Sequence, residues 1–396
     1  MRPLTLVDRL SVAAALGLAL LAVLPTEQWT SASLVLRFKG AVRNDGPNQI
    51  DLEQRERGYY EKVLEVHRGL DRIDGGWGDP IGTESENQPQ PFRHGGLVQD
   101  VADVRDYVLK PNLDTRYWDG VRWSTNARGM RDREYAIPKP PGVTRYALVG
   151  DSIGCGWGVD QSESFEAITE AQLDREARAF GRGGFELLNH SVPGHAPGQR
   201  WADFLANDGW RDELDGVIVQ ATPAEVGWDE RRLRVLLARG PGFGFDAPMY
   251  AETLAQAGAR PGDRVDGYRR RLEPWRWAIL EGVYRHIAQE CRVRGVRSWY
   301  ILVPRVGKTT TPSQRRELLS LAARCGFDEV HDLTGVIPES DPARYALSPR
   351  DYHPNALGHR LLAEALIARL RPAATSAGTA SAFRWGFSNR RAELHQ

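Results

Sequence analysis

Short apolar runs separated by stretches of helical periodicity dominate the chain from residue 144 onward. Arg145–Val149 (RYALV), Phe185–Leu188 (FELL), Gly216–Ala221 (GVIVQA), Ser298–Val303 (SWYILV) and Glu329–Leu333 (EVHDL) each read as a buried parallel strand. Between them the pattern predicts helices over Ser162–Phe180, with Ser162 as N-cap, and over Tyr268–Arg294, kinked at Pro274. Two more follow at Thr311–Cys325, stopped by Gly326, and Asn355–Leu370. Strands alternating with helices predict an α/β domain over 144–371, three-layer α/β/α around a parallel sheet.

The flanks differ. Leu10 to Leu24 is an uncharged apolar run following Arg2 and Arg9. At 1.5 Å per residue it spans roughly 22 Å, short of a ~30 Å hydrocarbon core and close to a signal-peptide core. We read 1–30 as a membrane anchor or an export signal, with the bulk of the chain in the cell envelope, outside the cytoplasm. Residues 31–143 form an extension and linker: a helix over Ile50–Val66, a Gly-, Pro- and Gln-rich loop over 71–99, and strand-like pieces over 107–137. The Pro-rich connector 137–142 closes it. Residues 229–267, rich in Gly and Pro, read as a loop insertion, and the tail 372–396 as disordered.

Composition narrows the function. Lys+Arg and Asp+Glu are both 52, and this balance gives no electrostatic case for a nucleic-acid partner. Five of the basic residues are Lys, so Arg carries the rest. Cys155, Cys291 and Cys325 lie in no metal-ligand spacing, and no metal or cofactor is expected. One disulfide, Cys291–Cys325, is allowed in an oxidising compartment.

The chemistry sits at two distant places. The first strand runs into Gly150-Asp151-Ser152, which puts a serine at the carboxyl edge of the sheet, where α/β folds bind ligands. Taken alone, Ser152 reads more often as a turn or capping residue than as a nucleophile. Asp351-Tyr352-His353 lies in a loop before the last helix; it offers a base for a serine proton and a carboxylate to fix that base's tautomer. Asn355 reads as the cap of that helix.

These blocks resemble the SGNH (GDSL) hydrolases. Gly150-Asp151-Ser152 with Gly154-Cys155-Gly156-Trp157-Gly158-Val159-Asp160 looks like their nucleophile block. Asn189-His190-Ser191-Val192-Pro193-Gly194 looks like the second, and Asp351-Tyr352-His353-Pro354-Asn355 like the last. Thr125-Asn126-Ala127-Arg128-Gly129-Met130-Arg131-Asp132 is similar to a segment of membrane-tethered bacterial members. The resemblance implies an SGNH hydrolase-like α/β/α fold, with Ser152 as nucleophile, His353 as base and Asp351 as its orienting carboxylate. The N–H groups of Ser152 and Gly194 would form the oxyanion hole. Asp151, Asn189, His195 and Ala224 are expected to line the site. One block departs from the pattern: in Thr222-Pro223-Ala224-Glu225, Ala224 stands where the family has an oxyanion-donating Asn. Asn189, His190 or His195 are the candidates to replace that donor. The implied function is an esterase acting on an acyl ester of a small molecule, a carbohydrate or the cell envelope. The alternatives are a polysaccharide O-acetyltransferase and a catalytically weak glycan-binding or scaffold protein.

Overall fold

The computed structural model describes residues 96–375, apart from 118–119, 240–246, 261–264 and 349–350. The apolar segment at 10–24, the helix expected over 50–66, most of the loop expected over 71–99 and the tail from 376 lie outside the described residues. Among the described residues, no helix is long and apolar enough to cross a membrane.

The extension supplies two small antiparallel pairs, β1 (Val98–Asp100) with β2 (Tyr107–Leu109), and β3 (Asp114–Tyr117) with β4 (Val121–Ser124). The α/β domain then runs β5 (Val143–Val149), α1 (Phe165–Ala179), β6 (Gly184–Asn189), α2 (Pro197–Ala206) and β7 (Gly216–Ala221). It continues through α3 (Trp228–Ala238), α4 (Pro248–Gln256), α5 (Val265–Leu272), α6 (Arg276–Val293) and β8 (Arg297–Leu302). It ends with α7 (Pro312–Cys325), β9 (Glu329–Asp332), a hairpin of β10 (Ala346–Ser348) and β11 (Asp351–Pro354), and α8 (Ala356–Thr375).

The five expected strands form one parallel sheet in the order β6-β5-β7-β8-β9. Successive side chains on a strand point to opposite faces, so each strand feeds two cores. Tyr146, Leu148, Ile218 and Ile301 pack under α1 and α8 with Leu173, Leu362 and Leu366. Ala147, Val149, Val217 and Val219 pack with Trp201, Leu233, Ile279 and Val283 of α2, α3 and α6. Both faces of the inner strands are covered, which is why GVIVQA and SWYILV read as nearly continuous apolar runs; β9, expected to be buried, is a partly exposed edge strand carrying Glu329, His331 and Asp332. The fold is three-layer α/β/α, as the pattern predicts.

Local chemistry moved some boundaries. The cap of α1 is Ser164, whose hydroxyl accepts from the Ala167 N–H at 3.1 Å, and not Ser162, which lies in a preceding short 3-10 turn. Pro274 separates α5 from α6 through a 3-10 turn, as expected. The insertion expected to be a loop carries α3 and α4, because Leu233, Leu236, Met249 and Tyr250 join the core. The helix α8 extends through Pro372 to Thr375, past the predicted start of the tail. The three cysteines are buried and unbridged; Cys325 instead donates to the Glu281 carbonyl at 3.6 Å.

Candidate active site

The chain leaves β5 at Val149 and turns through Gly150, Asp151 and Ser152 into consecutive tight turns up to Gly158, not directly into a helix. Backbone bonds from Cys155 to Asp151 (2.9 Å), Gly156 to Ile153 (3.1 Å) and Trp157 to Ser152 (2.9 Å) wind it. From the sheet side, the Gln220 Oε1 of β7 accepts from the Asp151 N–H (2.9 Å) and the Gly154 N–H (3.1 Å). Ser191 approaches so closely that a Cβ on Gly154 would lie 2.5 Å from its Oγ, so no side chain fits there. From the outside, Arg131 donates to the carbonyls of Cys155 (3.0 Å), Val159 (2.7 Å) and Gly156, and lies 4.1 Å over the Trp123 ring. Burial pulls the pKa of Arg131 below its ordinary value, and no carboxylate among the described residues pairs with it directly. Its charge is met by carbonyl dipoles instead.

The imidazole that faces Ser152 arrives from the far end of the sequence. The Ser152 Oγ lies 2.7 Å from His353 Nε2, and His353 Nδ1 lies 2.5 Å from Asp351 Oδ1. The same carboxylate oxygen accepts from the His353 backbone N–H at 2.9 Å. Burial pushes the Asp351 carboxyl up, but the charge and hydrogen bonds of His353 outweigh it and hold the carboxyl below its ordinary value. An ionised Asp351 assigns the proton to Nδ1, which leaves the Nε2 lone pair facing the Ser152 hydroxyl. The three side chains are almost fully enclosed, Ser152 at 3%, His353 at 1% and Asp351 at 8% exposure. Asp351 and His353 sit on β11, a strand and not the expected loop, and β10 fixes their alternation. Asn355 locks that hairpin to α8. Its Oδ1 accepts from Leu357 (3.0 Å) and Gly358 (3.1 Å), and its Nδ2 donates to the carbonyls of Arg344 (2.9 Å) and Ala346 (3.1 Å).

No protein-family model and no curated protein matches the sequence. Among solved structures, the chain is similar to a psychrotrophic esterase from Pseudoalteromonas sp., at 11% identity and TM-score 0.35 over 59% of this chain and 100% of that one. It is also similar to an acetylxylan esterase from Geobacillus stearothermophilus, at 15% identity and TM-score 0.35 over 57% of this chain and 94% of that one. A third similar structure is a putative lipolytic protein of the G-D-S-L family from Desulfitobacterium hafniense, at 15% identity and TM-score 0.33 over 57% and 98%.

The structure places the other predicted residues unevenly. Gly194 is buried with φ of 75°, a conformation that suits glycine, and no described group accepts from its N–H. Asp151 is engaged in the turn itself, its Oδ1 accepting from the Ile153 N–H at 2.8 Å and its Oδ2 facing Arg200 Nη2 at 3.5 Å. Ala224 is half-buried on the turn after β7. Of the three candidate replacement donors, Asn189 and His195 are hydrogen-bonded elsewhere, and the His190 side chain makes no hydrogen bond among the described residues. Asn189 Nδ2 donates to the Gly154 carbonyl (3.1 Å) and to Glu166 (3.3 Å). His190 faces Asp212 at 3.4 Å and the Phe204 ring. His195 Nε2 meets the Tyr107 carbonyl at 2.9 Å, so its proton is on Nε2 and Nδ1 has none to give. Burial, with the Arg232 charge, pulls His195 down to about 3, so it stays neutral.

His359 is a packing residue: its Nδ1 accepts from the Phe165 N–H at 3.2 Å, stacked on the Phe165 ring. Trp157 stands beside the base, its ring 6.3 Å from the imidazole of His353. Behind the site, Arg200 donates to the Gln220 carbonyl (3.0 Å) and to Glu225, which also accepts from Tyr284. Burial pushes Glu225 up to about 7, while Glu225 and Asp151 hold Arg200 above its ordinary value against burial. The direct ion pair and the Tyr284 donor decide for the ionised carboxylate.

Sequence reasoning passed over Gln220, Arg131, Arg200 and Tyr107. Gln220 had a signal, as the one polar side chain inside GVIVQA. Arg131 had one too, inside the segment singled out at 125–132.

Proposed function

We propose that this chain is an SGNH-type serine esterase. The observation that carries the reading is the chain of contacts from Ser152 Oγ to His353 Nε2 (2.7 Å) and from His353 Nδ1 to Asp351 (2.5 Å). That geometry suits nucleophilic acyl chemistry. Ser152 Oγ attacks the ester carbonyl while its proton passes to His353 Nε2. The carbonyl π pair moves onto oxygen, facing the N–H groups of Ser152 and Gly194. Collapse breaks the ester C–O bond, and His353 returns the proton to the leaving alkoxide. Water, activated by the same imidazole, then releases the acid and frees Ser152. Asp351 stays ionised and keeps the imidazole oriented throughout.

The substrate we propose is an acyl ester of a carbohydrate or another cell-envelope component, encountered outside the cytoplasm by a chain exported or tethered through residues 1–30. A second reading has its own motive. Ala224 brings no side-chain donor, Asn189 and His195 are hydrogen-bonded elsewhere, and His190 is turned toward Asp212. A hole with two backbone donors slows attack by water and by a sugar hydroxyl alike, so a sugar held by binding against the acyl-enzyme would prevail through its position. That is acyl transfer on the same intermediate.

The test is p-nitrophenyl acetate turnover. Ser152→Ala and His353→Ala are each expected to lower kcat by ~10⁴ or more, by similar factors, because the two act as one unit. A Ser152→Ala variant that keeps its activity would sink the reading. Acetyl transfer to an added oligosaccharide, read by mass spectrometry, separates the transferase from the esterase.

A further inference from the structure

We infer that the N-terminal extension is part of the reaction centre, with Tyr107 the positioning residue for the oxyanion-side peptide; this rests on the esterase reading above. Three consecutive carbonyls in the loop after β6 each accept from a side chain. Pro193 accepts from the Tyr107 hydroxyl at 2.7 Å, Gly194 from Arg232 Nη2 at 3.0 Å, and His195 from Arg200 Nε at 2.8 Å. All three donors are buried, and Tyr107 alone comes from the extension.

Its target matters most. The Pro193 carbonyl and the Gly194 N–H belong to one planar trans peptide, so the two bonds point in opposite directions. A hydrogen bond that fixes the Pro193 oxygen therefore fixes the direction of the Gly194 N–H. Within the loop, the His195 N–H closes a turn on the Val192 carbonyl at 3.3 Å, but that bond spans the Pro193–Gly194 peptide without holding either of its polar groups. Glycine at 194 offers no side chain to stop the plane from rotating, so the Tyr107 hydroxyl adds the direct hold.

Tyr107 is itself held hard. Its carbonyl meets His195 Nε2 at 2.9 Å, and its ring lies 4.8 Å from the imidazole. The neighbouring carbonyls of Val104 and Arg105 accept from Gln199 Nε2, both at 3.0 Å. Asp106 takes Arg239 and lies 3.8 Å from Arg232, with its backbone in the left-handed region at φ 68°. A non-glycine residue stays there only where its surroundings over-determine it. The turn at 103–107 and the loop at 193–199 are thus one interlocked unit.

Tyr107→Phe tests this, because it removes one hydroxyl and keeps the ring. Active sites are first titrated with a fluorophosphonate, so that misfolded protein drops out. Per titrated site, kcat on p-nitrophenyl acetate is expected to fall roughly 10-fold with KM within about twofold, since a small misplacement of a reacting group costs rate and not ground-state binding. Phenylboronic acid, whose tetrahedral adduct on Ser152 places an oxygen in the hole, is expected to bind weaker by the same factor. Hydrogen exchange over 193–196 is expected to accelerate. Unchanged kcat per titrated site overturns the proposal even if the variant is less stable. Wild-type protein that takes no fluorophosphonate overturns the esterase reading first, and this proposal with it.

Discussion

At the scale of single residues, the site is built by replacing freedom with contact. Gln220 and Arg131 hold the serine turn from opposite sides, and the base takes its tautomer from Asp351. Ala224 stands out against this, because its side chain has no donor to give. Removing an oxyanion donor costs about 3–4 kcal/mol in enzymes that have one, or a factor of ~10²–10³ in rate. Ala224→Asn is therefore expected to raise kcat on p-nitrophenyl acetate, by up to ~10² where the new amide reaches the oxyanion, with little change in KM. An unchanged or lower kcat, with an intact circular dichroism spectrum, would mean that the two backbone donors suffice. Arg131→Met is expected to fail in the other direction. It leaves the carbonyls of Cys155, Gly156 and Val159 without their shared donor, at about 1–3 kcal/mol for each one left buried and unsatisfied. Urea unfolding checks it; a midpoint matching wild type would contradict the clamp.

At the scale of elements, the sheet and most helices were legible in the sequence because the inner strands are apolar on both faces and the longer helices carry a capping, stopping or breaking residue. Gly326 ends α7 at φ 92°, and Pro274 breaks the long helix where expected. Ser152, Asp351 and His353, which the structure brings into contact, were legible for a different reason, as motif blocks in order. What was not legible is what other chain segments supply. The hairpin carrying Asp351 and His353 depends on β10 pairing, and α3 and α4 form because they cover the sheet, against a local composition rich in Gly and Pro. Asn189 and His195 are bonded away from Ser152 because a buried polar group finds its partner in three dimensions, and sequence spacing does not show which. Asn355 shows an element-scale consequence. Its side chain caps α8 and ties the hairpin to it, so Asn355→Ala is expected to cost about 1–2 kcal/mol. That is a fall in Tm of several degrees, at roughly 2–4 °C per kcal/mol. A thermal scan with Tm unchanged would refute the role.

At the scale of the whole molecule, the extension and the α/β domain share an acidic interior. Tyr135 OH lies 2.9 Å from Asp132 Oδ2 and 2.7 Å from Glu170 Oε2. One hydroxyl proton cannot serve both carboxylates, so one of the two contacts needs a protonated carboxyl. Burial, and then the Glu170 charge, push Asp132 up to about 8, and burial with the Asp132 charge raises Glu166. The sign follows from linkage. Below the ordinary Asp value of 3.8, folded and unfolded chains both hold the proton and the fold is fully favoured. Between there and about 8 the folded chain binds more protons than the unfolded one, so stability falls as pH rises. The limit is about 1.4 kcal/mol per pH unit for each such group. Tm is expected to drop between about pH 4 and 8, over the window that shift defines, and Asp132→Asn should flatten the slope. A slope that is the same in the variant would remove Asp132 as its cause.

The central claim is that Ser152 is a nucleophile armed by His353, and covalent capture tests it most directly. Wild-type protein is treated with a fluorophosphonate at neutral pH and digested, and the adduct is located by mass spectrometry. The account predicts one phosphonylated residue, Ser152, with no label on Ser191, and labelling abolished in Ser152→Ala and strongly slowed in His353→Ala. A folded protein that takes no label, or takes it at Ser191, would contradict it.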